Sequence, residues 1–265
     1  MVIKNHIAYR FLTDEKVWLE IIEATHKTEW NELLEKEDKG IETEISSKIH
    51  SLYSLLHSQN QKPYVITDSV VNNLEYLKVK KKDNHYDWTY FKNVKNQKVT
   101  FILPDNVCMR VLFQDDIIHF FHLKYEHIDK KAGTGHMKWI MYYLNRNTGE
   151  LCEHFEHDDV KQIEESVYKL LSFFFLADVQ EEYVAPGKVY GTKKTGKVLN
   201  DFKFPLTIVS TKWNITSIRT EGFAVCGHYA HRWTGEGRTI PRVVFIEPFE
   251  KEGYIRKAKK IEEGL

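Results

Sequence analysis

Cysteine is scarce in this sequence. The chain has three, Cys108, Cys152 and Cys226. They are odd in number and form no CxxC or CxxH pair, so neither a disulfide framework nor a structural zinc site is expected. Net charge is also missing, since 38 Lys and Arg balance 38 Asp and Glu. That balance excludes a histone-like polycation or an acidic nucleic-acid mimic as a whole-chain property, but not a local patch. No apolar run reaches the roughly 18 residues of a membrane helix. The longest cluster, LLSFFFLADV from Leu170 to Val179, lies inside a helical pattern and reads as core. The start, MVIKNHIAYRFL, lacks a secretory signal's charged start, apolar middle and small-residue cleavage site. A cytoplasmic protein with no membrane partner is expected. There is no GxSxG elbow, kinase motif set or zinc-deaminase signature, no internal repeat, and no expected cofactor or metal.

Core material is present. Apolar residues are 42% and aromatic residues 13% of 265, enough for one large domain or two small ones. The first third reads as helical. Val17, Leu19, Ile21, Ile22, Trp30, Leu33 and Leu34 recur at helical spacing after Thr13 and Asp14, and Gly40 fits a stop. Ile41, Ile45, Ile49, Leu52, Leu55 and Leu56 form a second stripe. An extended piece at Pro63 to Ile66 is followed by a short helix through Leu77, with Thr67, Asp68 or Ser69 as N-cap. The run from Lys78 to Asn84 reads as a solvated polar break, with nucleic-acid contact by its lysines as the alternative.

From Trp88 to Phe155 the period changes to two. Successive strands are separated by turn signals at Pro104-Asp105-Asn106, Asp115-Asp116, Gly133-Thr134-Gly135 and Asn147-Thr148-Gly149. Strands this close in sequence predict an antiparallel meander. A helix capped by Asp158 or Asp159 follows, with Val160, Ile163, Val167, Leu170, Leu171 and Phe174 on one face. Its stripe is expected to pack on the sheet. After Tyr183 the chain turns Gly- and Lys-rich, reads as a linker or exposed arm, and then as a C-terminal β segment. The expected class is α+β, with N-terminal helices, an antiparallel β-meander packed on a long helix, and a small basic C-terminal β module. The expected regions are 1–82, 83–183 and 184–265.

Charge is segregated along the chain. Between Gly187 and Arg242 there are ten Lys and Arg against Asp201, Glu221 and Glu236, an excess of seven. The first sixty residues are net acidic. The stretch CGHYAHRWTGEGRTIPRVVFIEPF, Cys226 to Phe249, concentrates the chemistry. In a two-stranded ribbon, alternation puts His228, Ala230 and Arg232 on one face and Tyr229, His231 and Trp233 on the other. Arg232, Arg238, Arg242, Lys193 and Lys194 would hold phosphates, Tyr229 and Trp233 would stack on bases, and the TGEGR glycines would allow close backbone approach. The Gly-x-Gly here precedes a strand, not a helix, so it is neither a dinucleotide fingerprint nor a P-loop.

This segment, with YGTKKTGKV and TIVSTKWN before it, resembles the C-terminal part of an uncharacterised family of phage, plasmid and other mobile-element proteins. Gly227, His228, Gly235, Gly237, Arg238 and Pro248 match the pattern, while Ala230-His231 before Arg232 departs from its spacing. The resemblance implies a mobile-element setting and no mechanism. The expected function is that of a phage or mobile-element accessory protein binding nucleic acid, or a nucleic-acid-bound complex, through the C-terminal module. One alternative is a protein-interaction role, as inhibitor or trigger of host defence or as part of a toxin–antitoxin pair. Another is a metal-independent ribonuclease with His228 or His231 as general base.

Other clusters read as ordinary. EHFEHDD, Glu153 to Asp159, has the density of a divalent-metal site but no third assignable ligand, and suits a strand-to-helix turn with capping acids. His119, His122 and His127 share a strand, but His119 and His122 fall on opposite faces. Cys226 is near histidine and arginine but sits in an apolar FAVCG context that favours burial.

Overall fold

The computed structural model describes residues 3–14, 63–79, 81–82, 85–129, 134–154, 160–191, 197–211, 213–214, 227–247 and 259–260. The expected helices between Thr13 and Gln59 lie beyond these residues except for their first two positions, as do Lys193, Lys194, Cys226 and most of the EHFEHDD cluster.

Three α-helices are described: α1 (Ile7–Thr13), α2 (Asp68–Leu74) and α3 (Val160–Leu176). The strands begin with β1 (Tyr64–Ile66), β2 (Leu77–Lys78), β3 (Lys81–Lys82) and β4 (His85–Tyr86). The meander is β5 (Gln97–Leu103), β6 (Val107–Gln114), β7 (Ile117–Asp129), β8 (Thr134–Asn145) and β9 (Leu151–His154). Then come β10 (Val179–Val184), β11 (Val189–Tyr190), β12 (Val198–Leu199), β13 (Leu206–Thr211) and β14 (Trp213–Asn214). The last are β15 (His228–Thr234), β16 (Ile240–Ile246) and β17 (Lys259–Lys260).

An eight-stranded sheet runs in the order β10-β13-β1-β5-β6-β7-β8-β9. The antiparallel meander accounts for β5 to β9. Its turns follow the residues that tolerate a left-handed backbone: Asp105 and Asn106 have φ of 59° and 61°, and Asp115 has 49°. The sheet as a whole is mixed, because β1 lies parallel to both β13 and β5. Tyr64 pairs with Thr207 on one side and Phe101 on the other. Strands from all three expected regions therefore share one sheet. The expected module at 184–265 is divided, with β13 inside the large sheet and β15–β16 forming a separate ribbon. Pairing between segments so far apart in sequence leaves no local signature, which is why periodicity reads only the meander.

The sheet's two faces carry different cores, as the period-two alternation of its strands requires. One face presents Phe101, Met109, Val111, Phe113, Phe120 and Tyr142 to the α3 residues Val167, Tyr168, Leu171 and Phe173. Phe101 meets Phe174 edge-on at 5.0 Å, and Phe113 meets Phe175 at 5.2 Å. The other face presents Ile102, Cys108, Phe121, Leu123 and Ile208 to Ile3, Ile7, Ala8 and Phe11. The structure is thus a sheet-rich α+β arrangement with both sheet faces covered.

Helix α1 begins where His6 caps it. His6 Nδ1 accepts from the Ala8 N–H at 3.0 Å, and His6 Nε2 lies 2.8 Å from the Leu103 carbonyl. Together these bonds place the proton on Nε2, which donates to Leu103. The Ile7 N–H donates to Asn106 Oδ1, so the β5–β6 turn and the helix start are fastened together. Helix α2 starts at Asp68 after Thr67 and ends at Leu74, short of the expected Leu77, because Leu77 is taken by β2. The Gly- and Lys-rich stretch is tied down at both flanks. β11 pairs with β12, and buried Asn200 donates through Nδ2 to the Val184 and Phe204 carbonyls at 2.9 and 3.1 Å.

Candidate functional site

The ribbon β15–β16 is extended by β2 into a three-stranded sheet of order β16-β15-β2. β15 and β16 pair antiparallel from His228↔Ile246 to Thr234↔Ile240, and β2 runs parallel to β15 with Leu77↔Tyr229 and Lys78↔Ala230. The turn is built by Gly235 and Gly237, with φ of 77° and 65°, and Arg238 is also left-handed at 53°. A Cβ at Gly235 would lie 2.9 Å from Ile240 Cδ1, so both backbone sign and space favour glycine there.

The inner face of this small sheet is part of the protein core. Tyr229 is 3% exposed and packs on Phe173 at 4.9 Å and Phe245 at 5.2 Å. Its hydroxyl lies 3.3 Å from Thr211 Oγ1. Burial removes Tyr229 from the expected base-stacking role. The alternation that puts it opposite Arg232 also points it inward. His231 stacks on Tyr90 at 4.5 Å and lies 5.5 Å from Tyr168. Trp233 stacks on the same Tyr90 at 5.0 Å, with Lys92 Nζ 5.6 Å from its ring. Trp233 is only half-buried, so it keeps a partly exposed ring beside the ribbon.

The outer face gathers cations. Arg232 and Arg242 are direct cross-strand partners, and both are exposed. Lys78 shares this face one row away through its pairing with Ala230, and His228 lies two residues from that row. Burial, then the nearby Lys78 ammonium and Arg232 guanidinium, push the His228 imidazole below its ordinary range. Among the described residues, no carboxylate forms an ion pair with Lys78, Arg232 or Arg242. Like charges directly opposite on a sheet are destabilising, so this juxtaposition needs a compensating anion or solvent. Arg238 is exposed at the tip of the same ribbon.

Sequence reasoning separated the two faces of the ribbon but missed two contributors. Lys78 reads in the sequence as the start of a lysine run, either solvated or touching nucleic acid, and nothing local marks it as a neighbour of Ala230. Tyr90, the shared support of His231 and Trp233, carries no signal at all.

The two candidate catalytic histidines do not share a site. His228 is on the outer face and His231 is on the inner one. Burial pushes the His231 imidazole down to about 4, opposed only by Asp87, and its Nε2 has no hydrogen-bond partner among the described residues. His119 and His122 are likewise held at about 4 by burial, on opposite faces of β7: His119 meets Tyr143, and His122 pairs with Met109 and Ile140.

These buried histidines predict acid sensitivity. The unfolded chain protonates them near the ordinary value of 6.5, the folded protein only near 4. Their full stabilising effect is present above pH 6.5 and is lost progressively as the pH falls from 6.5 to about 4. For His119 the slope approaches about 1.4 kcal/mol per pH unit. Urea unfolding from pH 7.5 to 4.5 is expected to show His119→Gln and His231→Phe losing less stability than the parent over that window. Parallel curves for parent and variants would contradict it.

The described residues therefore define an α+β protein with a mixed sheet and an appended cationic β-ribbon. Compared with protein-family models, curated proteins and solved structures, the chain matches none.

Proposed function

We propose that the protein binds nucleic acid through the outer face of the small sheet, with Lys78, Arg232 and Arg242 on phosphates and Arg238 reaching from the tip. One observation carries the reading. Two arginines are held directly opposite each other on an exposed face, beside a lysine and a histidine, with no described carboxylate paired to either. Guanidinium groups in that arrangement match successive phosphate oxygens as bidentate donors. Trp233 lies on the opposite face, stacked on Tyr90, and is left out of this contact. The resemblance of the C-terminal segment to mobile-element proteins implies such a setting for this role.

A ribonuclease reading is less well supported. A general base and a second proton carrier would have to face one phosphate, and His231 is turned into the core. The test is fluorescence anisotropy with a labelled single-stranded oligonucleotide at several salt concentrations. Binding at micromolar protein is expected, with log K falling linearly against log salt at about −0.7 per phosphate neutralised. Absence of binding, or binding indifferent to salt, would remove the proposal.

A further inference from the structure

A second feature lies away from the ribbon, between the sheet and the helices α2 and α3. It is a cleft of about 770 Å³, within the size range of small-molecule sites. The register of the meander arranges its floor in rows. Val107, Lys124 and Lys138 form one cross-strand row near the β5–β6 turn, and Met109, His122 and Ile140 form the next row inward. Beyond that row the face closes into core at Val111, Phe120 and Tyr142. Val71 and Leu74 of α2 and Ile163 of α3 form the opposite wall.

The charges at the mouth of the cleft are already balanced and engaged. Lys169 is paired with Glu165 at 2.8 Å, and Lys124 and Lys138 both have partners. Glu75 and Asp105 add carboxylates to the same lining. Such a mouth offers a charged ligand no net attraction, and entry into the apolar recess would strip that ligand of its hydration.

The inner row is apolar on both sides of one polar group. Met109 and Ile140 are buried, and His122 stands between them in the register. Burial, then the Lys124 ammonium, push the His122 imidazole down to about 4, so it is uncharged at neutral pH. The side chain is only half-buried and lines the cleft, and it makes no hydrogen bond among the described residues. A neutral imidazole carries one N–H donor and one bare nitrogen acceptor. Leaving both unused in apolar surroundings costs free energy that a ligand's hydroxyl would recover. The Met109 thioether beside it is a favourable neighbour for an aromatic ring.

We propose that this cleft binds an uncharged aromatic alcohol or phenol, its hydroxyl hydrogen-bonded to the His122 ring and its aromatic body held between the Met109 and Ile140 floor and the wall of Val71, Leu74 and Ile163. This stands independently of the nucleic-acid reading, since no residue is shared.

Isothermal titration at neutral pH with three probes of one shape tests it: 2-naphthol, 2-methoxynaphthalene, which cannot donate, and 2-naphthoate, which is charged. Naphthol is expected to bind saturably with one-to-one stoichiometry, and each of the others to be weaker by about fivefold or more. In His122→Phe, which keeps a ring and removes both nitrogens, naphthol and methoxynaphthalene should bind within about twofold of each other. Ile163→Trp, which fills the recess, should block both, with circular dichroism confirming that the two variants stay folded. The His122 ring signals in a histidine proton–nitrogen correlation spectrum should shift with naphthol and saturate at the calorimetric affinity. Arg232→Glu/Arg242→Glu should bind naphthol as the parent does. No saturable binding of naphthol overturns the proposal. So does naphthoate binding as tightly as naphthol, a preference for naphthol that survives in folded His122→Phe, or His122 ring signals that naphthol leaves unmoved.

Discussion

Reversing both ribbon arginines, Arg232→Glu with Arg242→Glu, is expected to weaken oligonucleotide binding by roughly 100-fold or more, since hydrogen bonds to charged groups contribute about 1.5–3 kcal/mol each. The salt dependence should flatten as well, its slope falling by about 1.4 for a single strand when two phosphate contacts are lost. The double reversal isolates the field from the fold. It replaces a like-charge pair across β15 and β16 with another like-charge pair, so stability should stay close to the parent. The single change Arg232→Glu separates the two effects further. It sets a carboxylate directly opposite Arg242, creating a cross-strand ion pair that stabilises by about 0.2–1 kcal/mol, while still abolishing one phosphate contact. A variant that melts higher yet binds less is the expected outcome, measured by thermal unfolding and anisotropy on the same sample. Parent-like binding by the double variant would exclude this face as the contact surface.

The largest stability effect is expected at Trp88. It is 1% exposed and lies edge-on to Tyr168 at 5.0 Å, with Phe120 at 5.4 Å and Phe91 at 5.7 Å. Trp88→Ala should cost about 3–5 kcal/mol, through lost transfer energy and the cavity left behind. That is a large part of the roughly 5–15 kcal/mol by which native proteins exceed their unfolded state. Trp88→Phe should recover about half. The effect should also reach the ribbon, because Tyr168 touches both Trp88 and His231. Trp233→Ala provides the contrast. Trp233 is half-exposed and stacked on Tyr90, so its loss should cost far less stability. Urea unfolding of the three variants checks the order. An Ala variant at position 88 as stable as the parent would show that this aromatic cluster does not hold the sheet to α3.

How far these sites are legible in the sequence depends on the range of the contacts that make them. The meander is legible because alternation and turn residues act over a few positions: Asp105, Asn106 and Asp115 take the left-handed backbone their side chains permit. The helix at 160–176 is legible from its apolar stripe. The short β1 is legible as an extended piece, but its parallel pairing with β13 is not, since its partners lie about 140 residues apart.

The amino-acid order alone determined the alternation of the ribbon, its glycine turn and the excess of cations around it, because side-chain direction along a strand and backbone sign at a turn are local properties. Tertiary structure decided which ribbon face went inward, burying Tyr229 on Phe173 and leaving Arg232 opposite Arg242 in solvent. It also decided that Lys78 would join them. The apolar surface of α3 needed covering, and burying the aromatic face of the ribbon against it removes far more apolar area from water than burying the arginine face would.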